Sequence, residues 1–184
     1  MTLGTLVAAA VAVLVAWVVF RPVLRTYLAY RGTRVVTCPE TGRPAGVEVD
    51  AVHAAASRAS AGAPLLHLSS CSRWPERQGC GQECLAQIEA APHDCLARTM
   101  LERWYGEKAC AFCRHPFGEI HWDHRPGIRL PTGEIVAWPA IRPEDLPATL
   151  AASAPVCWNC QIAETFRREH PDLVVDDPPT RRRA

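Results

Sequence analysis

The first run of hydrophobic positions along the chain is also the longest. Residues 2–20 carry no charge and are apolar on every side, the pattern of a helix surrounded by lipid rather than one with a single buried face. About 20 apolar residues rising 1.5 Å each cross a hydrocarbon core, so this stretch predicts one transmembrane helix with Trp17 near an interface. No Lys or Arg precedes it, and it runs out through Trp17-Val18-Val19-Phe20-Arg21-Pro22 without a small-residue cleavage site. It therefore reads as a retained anchor and not as a cleaved signal peptide.

Beyond the anchor the hydrophobic pattern shortens. Val35-Val36-Thr37-Cys38 and Gly46-Val47-Glu48-Val49 flank Pro39-Glu40-Thr41-Gly42-Arg43-Pro44, which predicts a β-hairpin with turn residues in its middle. Residues 54–64, rich in Ala, Ser and Gly, fit a loop or a weak helix equally, and Leu65-Leu66-His67-Leu68 reads as a short strand leading to Cys71. Helices are predicted over Gly81–Ala90 and Asp94–Tyr105. In the second, Asp94 stands as N-cap, Leu96, Met100 and Trp104 form a core stripe, and Gly106 is placed for a left-handed C-terminal cap. A second hairpin is expected over Gly127–Trp138 around Pro131-Thr132-Gly133, and a short helix over Pro143–Ala151. A further helix is expected over Gln161–His170, with Ile162 and Phe166 on one face and Glu164 placed to pair with Arg168. The tail from Pro171 reads as disordered. No internal repeat is present.

Charge changes the picture twice. The chain has 20 basic and 19 acidic residues, a net charge of +1. Arg21, Arg25, Arg31 and Arg34 follow the apolar run with no acid among them, and Arg181, Arg182 and Arg183 end the chain. By the positive-inside rule the four arginines place the C-terminal side in the cytoplasm and the N-terminus outside. The span 35–180 keeps 13 basic against 19 acidic residues, about −6, a sign that repels a phosphate backbone and argues against a general nucleic-acid binder. Cytoplasmic placement also puts all nine cysteines in a reducing compartment, where metal ligation is the first reading of clustered thiols.

The chemistry is carried by sulfur. Cys110-Ala-Phe-Cys113 and Cys157-Trp-Asn-Cys160 are two C-x-x-C pairs with 43 residues between them. Each pair can present two thiolates from one tight turn, and two pairs complete a tetrahedral zinc site. The gap exceeds the roughly 15–20 residues of compact four-cysteine sites, and the hairpin and short helix fill the excess. A two-cysteine turn, a hairpin, and a helix whose first turn carries the last two ligands together resemble the treble-clef zinc fingers over about residues 108–171. The resemblance implies structural zinc at Cys110, Cys113, Cys157 and Cys160. It implies little about function, because that fold serves structural, binding and nuclease roles alike.

His121-Trp122-Asp123-His124 resembles the motif of HNH-type endonucleases, which implies His124 as base and Asp123 as metal ligand. The family's later histidine, directly after the last cysteine, is here Gln161, and the mid-motif asparagine is missing. A polar hairpin surface is the preferred reading of His115, His121 and His124. Gln161 also removes the axial ligand that a C-x-x-C-H haem site needs, and no βαβ context supports a thioredoxin-like redox pair.

Cys38, Cys71, Cys80, Cys84 and Cys95 lie in the N-terminal half of the soluble part. Cys80 and Cys84 can share one face of a helix start, Cys38 resembles half of a zinc knuckle, and His67 is a spare nitrogen ligand. Any four of the five cysteines make a candidate second metal site. A second zinc, an iron–sulfur cluster without ferredoxin spacing, and inert buried thiols are the alternatives.

The expected fold class is a single N-terminal transmembrane helix plus a small α+β metal-binding soluble region with a treble-clef-like C-terminal half. Its expected parts are an anchor and arginines over 1–30, a cysteine-rich module over 35–106, a zinc module over 107–171 and a tail over 172–184. The expected function is a membrane-anchored, zinc-stabilised interaction or accessory protein of a membrane complex, with a protein partner and no catalysis of its own. Trp74, Trp104, Trp122, Trp138 and Trp158 would then be core or partner surface. The alternative is a redox protein using an iron–sulfur cluster or reactive thiols, with a degenerate nuclease more distant.

Overall fold

The structure, a computed structural model, describes residues 3–77, 79–120, 122 and 126–173. Helix α1 (Leu3–Tyr30) extends the expected apolar run through Pro22 and two of the arginines, so its 28 residues make about 42 Å of helix. Its length and composition suit a membrane anchor or a signal sequence alike. Cover on α1 begins at Pro22 and recurs at Val23, Thr26, Ala29 and Tyr30, the spacing of one helix face. The chain divides into two compact units, Met1–Met100 with Arg142–Leu146, and Leu101–Ile141 with Pro147–Ala184.

In the first unit β1 (Thr33–Thr37), β2 (Pro44–Val49) and β3 (Leu68–Cys71) form an antiparallel sheet in that order. The predicted hairpin is present, with Thr33 opposite Glu48 and Thr37 opposite Pro44; Gly42, at φ 65°, supplies the left-handed residue of the turn. The segment left open between loop and helix is helix α2 (Ala51–Ala61), started by Asp50, whose carboxylate accepts the His53 N–H at 2.8 Å. It buries Ala51, Ala54, Ala55 and Ser57, and it packs against α1. Arg34 is fully buried and is more than a loop charge. Its guanidinium donates to the carbonyls of Ala29, Tyr30 and Gly32 at 2.5–2.9 Å, satisfying orphan acceptors at the C-terminal end of α1.

Two predicted helix starts shift. Helix α3 covers Leu85–Ala90, not Gly81–Ala90, because Gln82 takes φ 54° and its side-chain oxygen accepts the Leu68 N–H at 3.0 Å. Helix α4 covers Ala97–Gly106, not Asp94–Tyr105, because Leu96 forms a bridge with Arg34 and must be extended. Asp94 is therefore not its N-cap, and Gly106 is helical rather than a left-handed cap. The fully buried stripe on α4 is Ala97, Leu101 and Tyr105; Leu96, Met100 and Trp104, one position back, are half-buried. The core of the first unit gathers Val36, Val47, Val49, Leu68 and Ile88, with Trp74 packed against it.

The second unit holds a smaller sheet, β4 (Gly127–Arg129), β5 (Ile135–Ala137) and β6 (Ala154–Val156), in the order β5-β4-β6. The second hairpin is as expected, with Gly133 at φ 88°. Strand β6 gave no sequence signal, being three residues long with Pro155 in its middle, where a proline is tolerated because the strand is at an edge. The short helix is a 3-10 turn (Pro143–Asp145) running into α5 (Leu146–Ala152). Helix α6 (Trp158–Glu169) begins three residues earlier than predicted, and Glu164 pairs with Arg167 at 2.6 Å, not Arg168. Pro171–Leu173, placed in the disordered tail, forms a 3-10 turn. The remainder of the tail, and His121, Asp123 and His124 of the nuclease-like motif, lie outside the described residues.

Candidate metal centre

Two backbone devices in the second unit bring the C-x-x-C pairs together. Around the first pair the chain reverses: the Cys110 N–H donates to the His115 carbonyl at 2.9 Å, the Arg114 N–H donates back to the Cys110 carbonyl at 3.0 Å, and Arg114 takes φ 60° to close the turn. At the second pair Cys157 is the N-cap of α6 and Cys160 sits in its first turn, with the Gln161 N–H bonded to the Cys157 carbonyl. The two are joined through β6, where the Ala111 N–H donates to the Pro155 carbonyl at 2.9 Å. The strand that sequence periodicity misses is thus the one that docks the first turn beside the helix start.

The four sulfurs all lie within 4.8 Å of one another, and the Cys113 and Cys157 sulfurs are 3.8 Å apart. Thiolates bound at about 2.3 Å to one tetrahedral ion are separated by about 3.8 Å along each edge of the tetrahedron. Among the described residues this is the one group of three or more His, Cys, Asp or Glu side chains with that convergence. Four convergent thiols form a metal site; the donor set suits a soft or borderline cation.

Electrostatics supports the same use. Burial pushes the Cys110 thiol up, but N–H groups of Cys157, Cys113 and Phe112 outweigh burial and hold its pKa at about 6. The Cys157 N–H lies 3.3 Å from the Cys110 sulfur. Cys160 is pushed up, first by burial and then by its three sulfur neighbours, and Cys157 moves up for similar reasons. One thiolate is accommodated by the protein alone; four need a cation among them. Cys110 is fully buried while Cys113 is exposed, so the centre sits at the surface with one edge open to water.

The helix fixed by this centre carries a feature legible only once its start is known. Trp158, Ile162 and Phe166 recur at i, i+4 and i+8 and remain 37%, 50% and 47% exposed. Ile162 and Phe166 do share a face, as the sequence predicts; Trp158 joins them because α6 starts at 158. The same first turn is tightly built beneath. A Cβ at Gly127 would lie 2.7 Å from Ile135 Cγ2 and 3.0 Å from Gln161 Oε1, so only glycine lets β4 pass under the residue after Cys160.

The other five cysteines separate. Cys38, Cys71, Cys80 and Cys84 line one cavity in the first unit, while Cys95 donates to the Ala91 carbonyl at 3.4 Å and lies beside Arg34. His67, the spare ligand, does not line that cavity; its carbonyl accepts the Asp50 N–H. His115 is exposed. No protein-family model matches this chain, and neither the curated proteins nor the solved structures contain a match to it.

Proposed function

We propose that this chain is a membrane-anchored, zinc-stabilised interaction module, an accessory protein of a membrane complex with no catalysis of its own. The observation that carries the reading is that the four-cysteine centre pins the first turn of a helix presenting Trp158, Ile162 and Phe166 to solvent. Four thiolates fill a tetrahedral coordination sphere and leave no position for a water or substrate, which makes the ion structural. The order of two-cysteine turn, hairpin and helix supports a treble-clef assignment, and zinc is the ion that such closed sulfur sites favour. A contiguous exposed apolar stripe on an otherwise polar helix is the usual mark of a protein partner. In this reading α1 is the anchor, and the arginines in its last turns and just after it hold the two units in the cytoplasm.

The test uses the full chain in detergent-solubilised membranes, prepared without oxygen. The expected result is zinc without visible absorbance, retention in membranes after an alkaline wash, and co-migration with a membrane complex on a native gel. Ile162→Asp with Phe166→Asp should release the chain from that complex while its zinc content is unchanged. Migration as a free chain whatever the helix carries would overturn the interaction reading. Iron with visible absorbance would put the redox alternative in its place, and metal-dependent DNA cleavage lost in His124→Ala would favour the nuclease.

A further inference from the structure

The first unit brings together a second set of thiols that no C-x-x-C motif announces. Cys38 follows β1 at the hairpin turn, Cys71 ends β3, Cys80 lies in the loop before α3, and Cys84 is the buried N-cap of α3. All four line one small cavity of about 40 Å³, floored by Val36, Val47 and Leu68. That volume admits an ion and not an organic ligand, since a single water already needs about 10–15 Å³ on this scale.

At Cys38 the chain turns tightly over the cavity, the Cys38 carbonyl accepting the Thr41 and Gly42 N–H at 3.3 and 2.8 Å. Arg73 and Arg77 line the cavity with Glu40 and Glu83; Arg73 pairs with Glu76 at 3.0 Å and Arg77 with Glu40 at 3.6 Å, while the Arg73 Nε stays buried without a hydrogen-bond partner. Cys84 is buried in the core of this unit, with Cys71 packed against it.

We propose that Cys38, Cys71, Cys80 and Cys84 bind a second divalent, thiolate-seeking metal ion of the zinc class, and that Cys95 takes no part. The four sulfurs are not drawn within 4.8 Å of one another as the first set is, so binding closes them. Cys80, between Gly79 and Gly81 on a loop, has the freedom to move inward. The inference rests on the proposed cytoplasmic placement, where thiols stay reduced, but not on the first centre.

Cobalt(II) titration of the full reduced chain in detergent, without oxygen, counts the sites through the visible bands of tetrahedral cobalt thiolates. The expected result is saturation at two equivalents. Cys84→Ser or Cys38→Ser should leave one equivalent, Cys95→Ser should leave two, and Cys38→His, which keeps a ligand atom, should leave two with altered bands. Should Cys84→Ser unfold its unit, the wild-type stoichiometry and the Cys38→His spectrum still decide. Saturation of the wild type at one equivalent, unchanged in Cys38→His, overturns the second site, as does a disulfide between any two of these four cysteines in protein trapped with a thiol-blocking reagent. One equivalent lost in Cys84→Ser but kept when Cys113 and Cys160 are both serine upholds this site and overturns the first.

Discussion

The two units face the same shortage of hydrophobic area and meet it differently. In the first, strands of four to six residues and helix α3 supply a core of Val36, Val47, Val49, Leu68 and Ile88. In the second, each strand has three residues, and the buried apolar positions Leu101, Tyr105, Ile128 and Val156 are joined by Cys110 itself. Sheets of such short strands are marginal in isolation. In the second unit the buried Cys110 belongs to a converging set of four thiols, whereas in the first the cysteines rim a cavity beside a mainly aliphatic core of which Cys84 is a buried member. The unit with the converging thiols is also the one with the shorter strands, so its order depends on metal most.

Removing one ligand sharpens this contrast with the largest effect. Cys160→Ser should abolish binding at the second unit and unfold it, because a structural metal of the proposed zinc kind would contribute on the order of 10–16 kcal/mol, as much as a small domain's whole stability. Hydrogen exchange should show protection lost across β4–β6 and α6 and kept in β1–β3; protection retained in both units would break the comparison. Acid should act in the same direction, since binding releases thiol protons: metal leaves as pH falls. Cys110, held at about 6 by the N–H groups aimed at it, resists protonation more than Cys157 and Cys160, which burial pushes up.

A smaller effect compares backbone crowding in the two sheets. A Cβ at Gly46 would lie 2.7 Å from Pro143 Cβ in the first unit, as one at Gly127 would lie 2.7 Å from Ile135 Cγ2 in the second. Overpacking of this kind costs about 1–3 kcal/mol. Gly127→Ala should also weaken metal affinity, because it displaces Gln161 beside Cys160, while Gly46→Ala should lower thermal stability and leave affinity at that centre unchanged. Chelator competition separates the two; equal affinities in both variants would detach the centre from the sheet beneath it.

Tyr105 provides the smallest. Its hydroxyl, buried, lies 3.0 Å from the carbonyls of Pro126 and Gly127, and burial pushes its pKa up. A phenol kept neutral in the folded state contributes stability fully present below pH about 10, the unfolded value, and lost as pH rises beyond it. Tyr105→Phe should cost about 1 kcal/mol at neutral pH and flatten the alkaline loss of stability in denaturant titrations. An unchanged alkaline profile would remove Tyr105 from the account.

Much of the local architecture was legible in the chain. Both hairpins follow from turn residues between alternating strands, α1 from an uncharged apolar run, and the metal centre from two C-x-x-C pairs, because each of these signals is confined to a few neighbouring residues. The errors have a common cause. The starts of α3 and α4 moved because Gln82 and Leu96 bond to residues distant in sequence, and β6 was missed because its only reason to be a strand is its partner β4.

The sequence by itself determined the length of the apolar run in α1, the pairing of cysteines within each C-x-x-C turn, and the acidic balance of residues 35–180. Only the tertiary structure decided that Arg34 would cap α1, that Cys95 would stand apart while four other dispersed cysteines meet at one cavity, and that Trp158 would extend an apolar stripe into the solvent. Spacing along the chain governs contacts within a turn, where geometry is set by a few dihedral angles. Contacts between turns are set by which surfaces pack, and no local pattern encodes that.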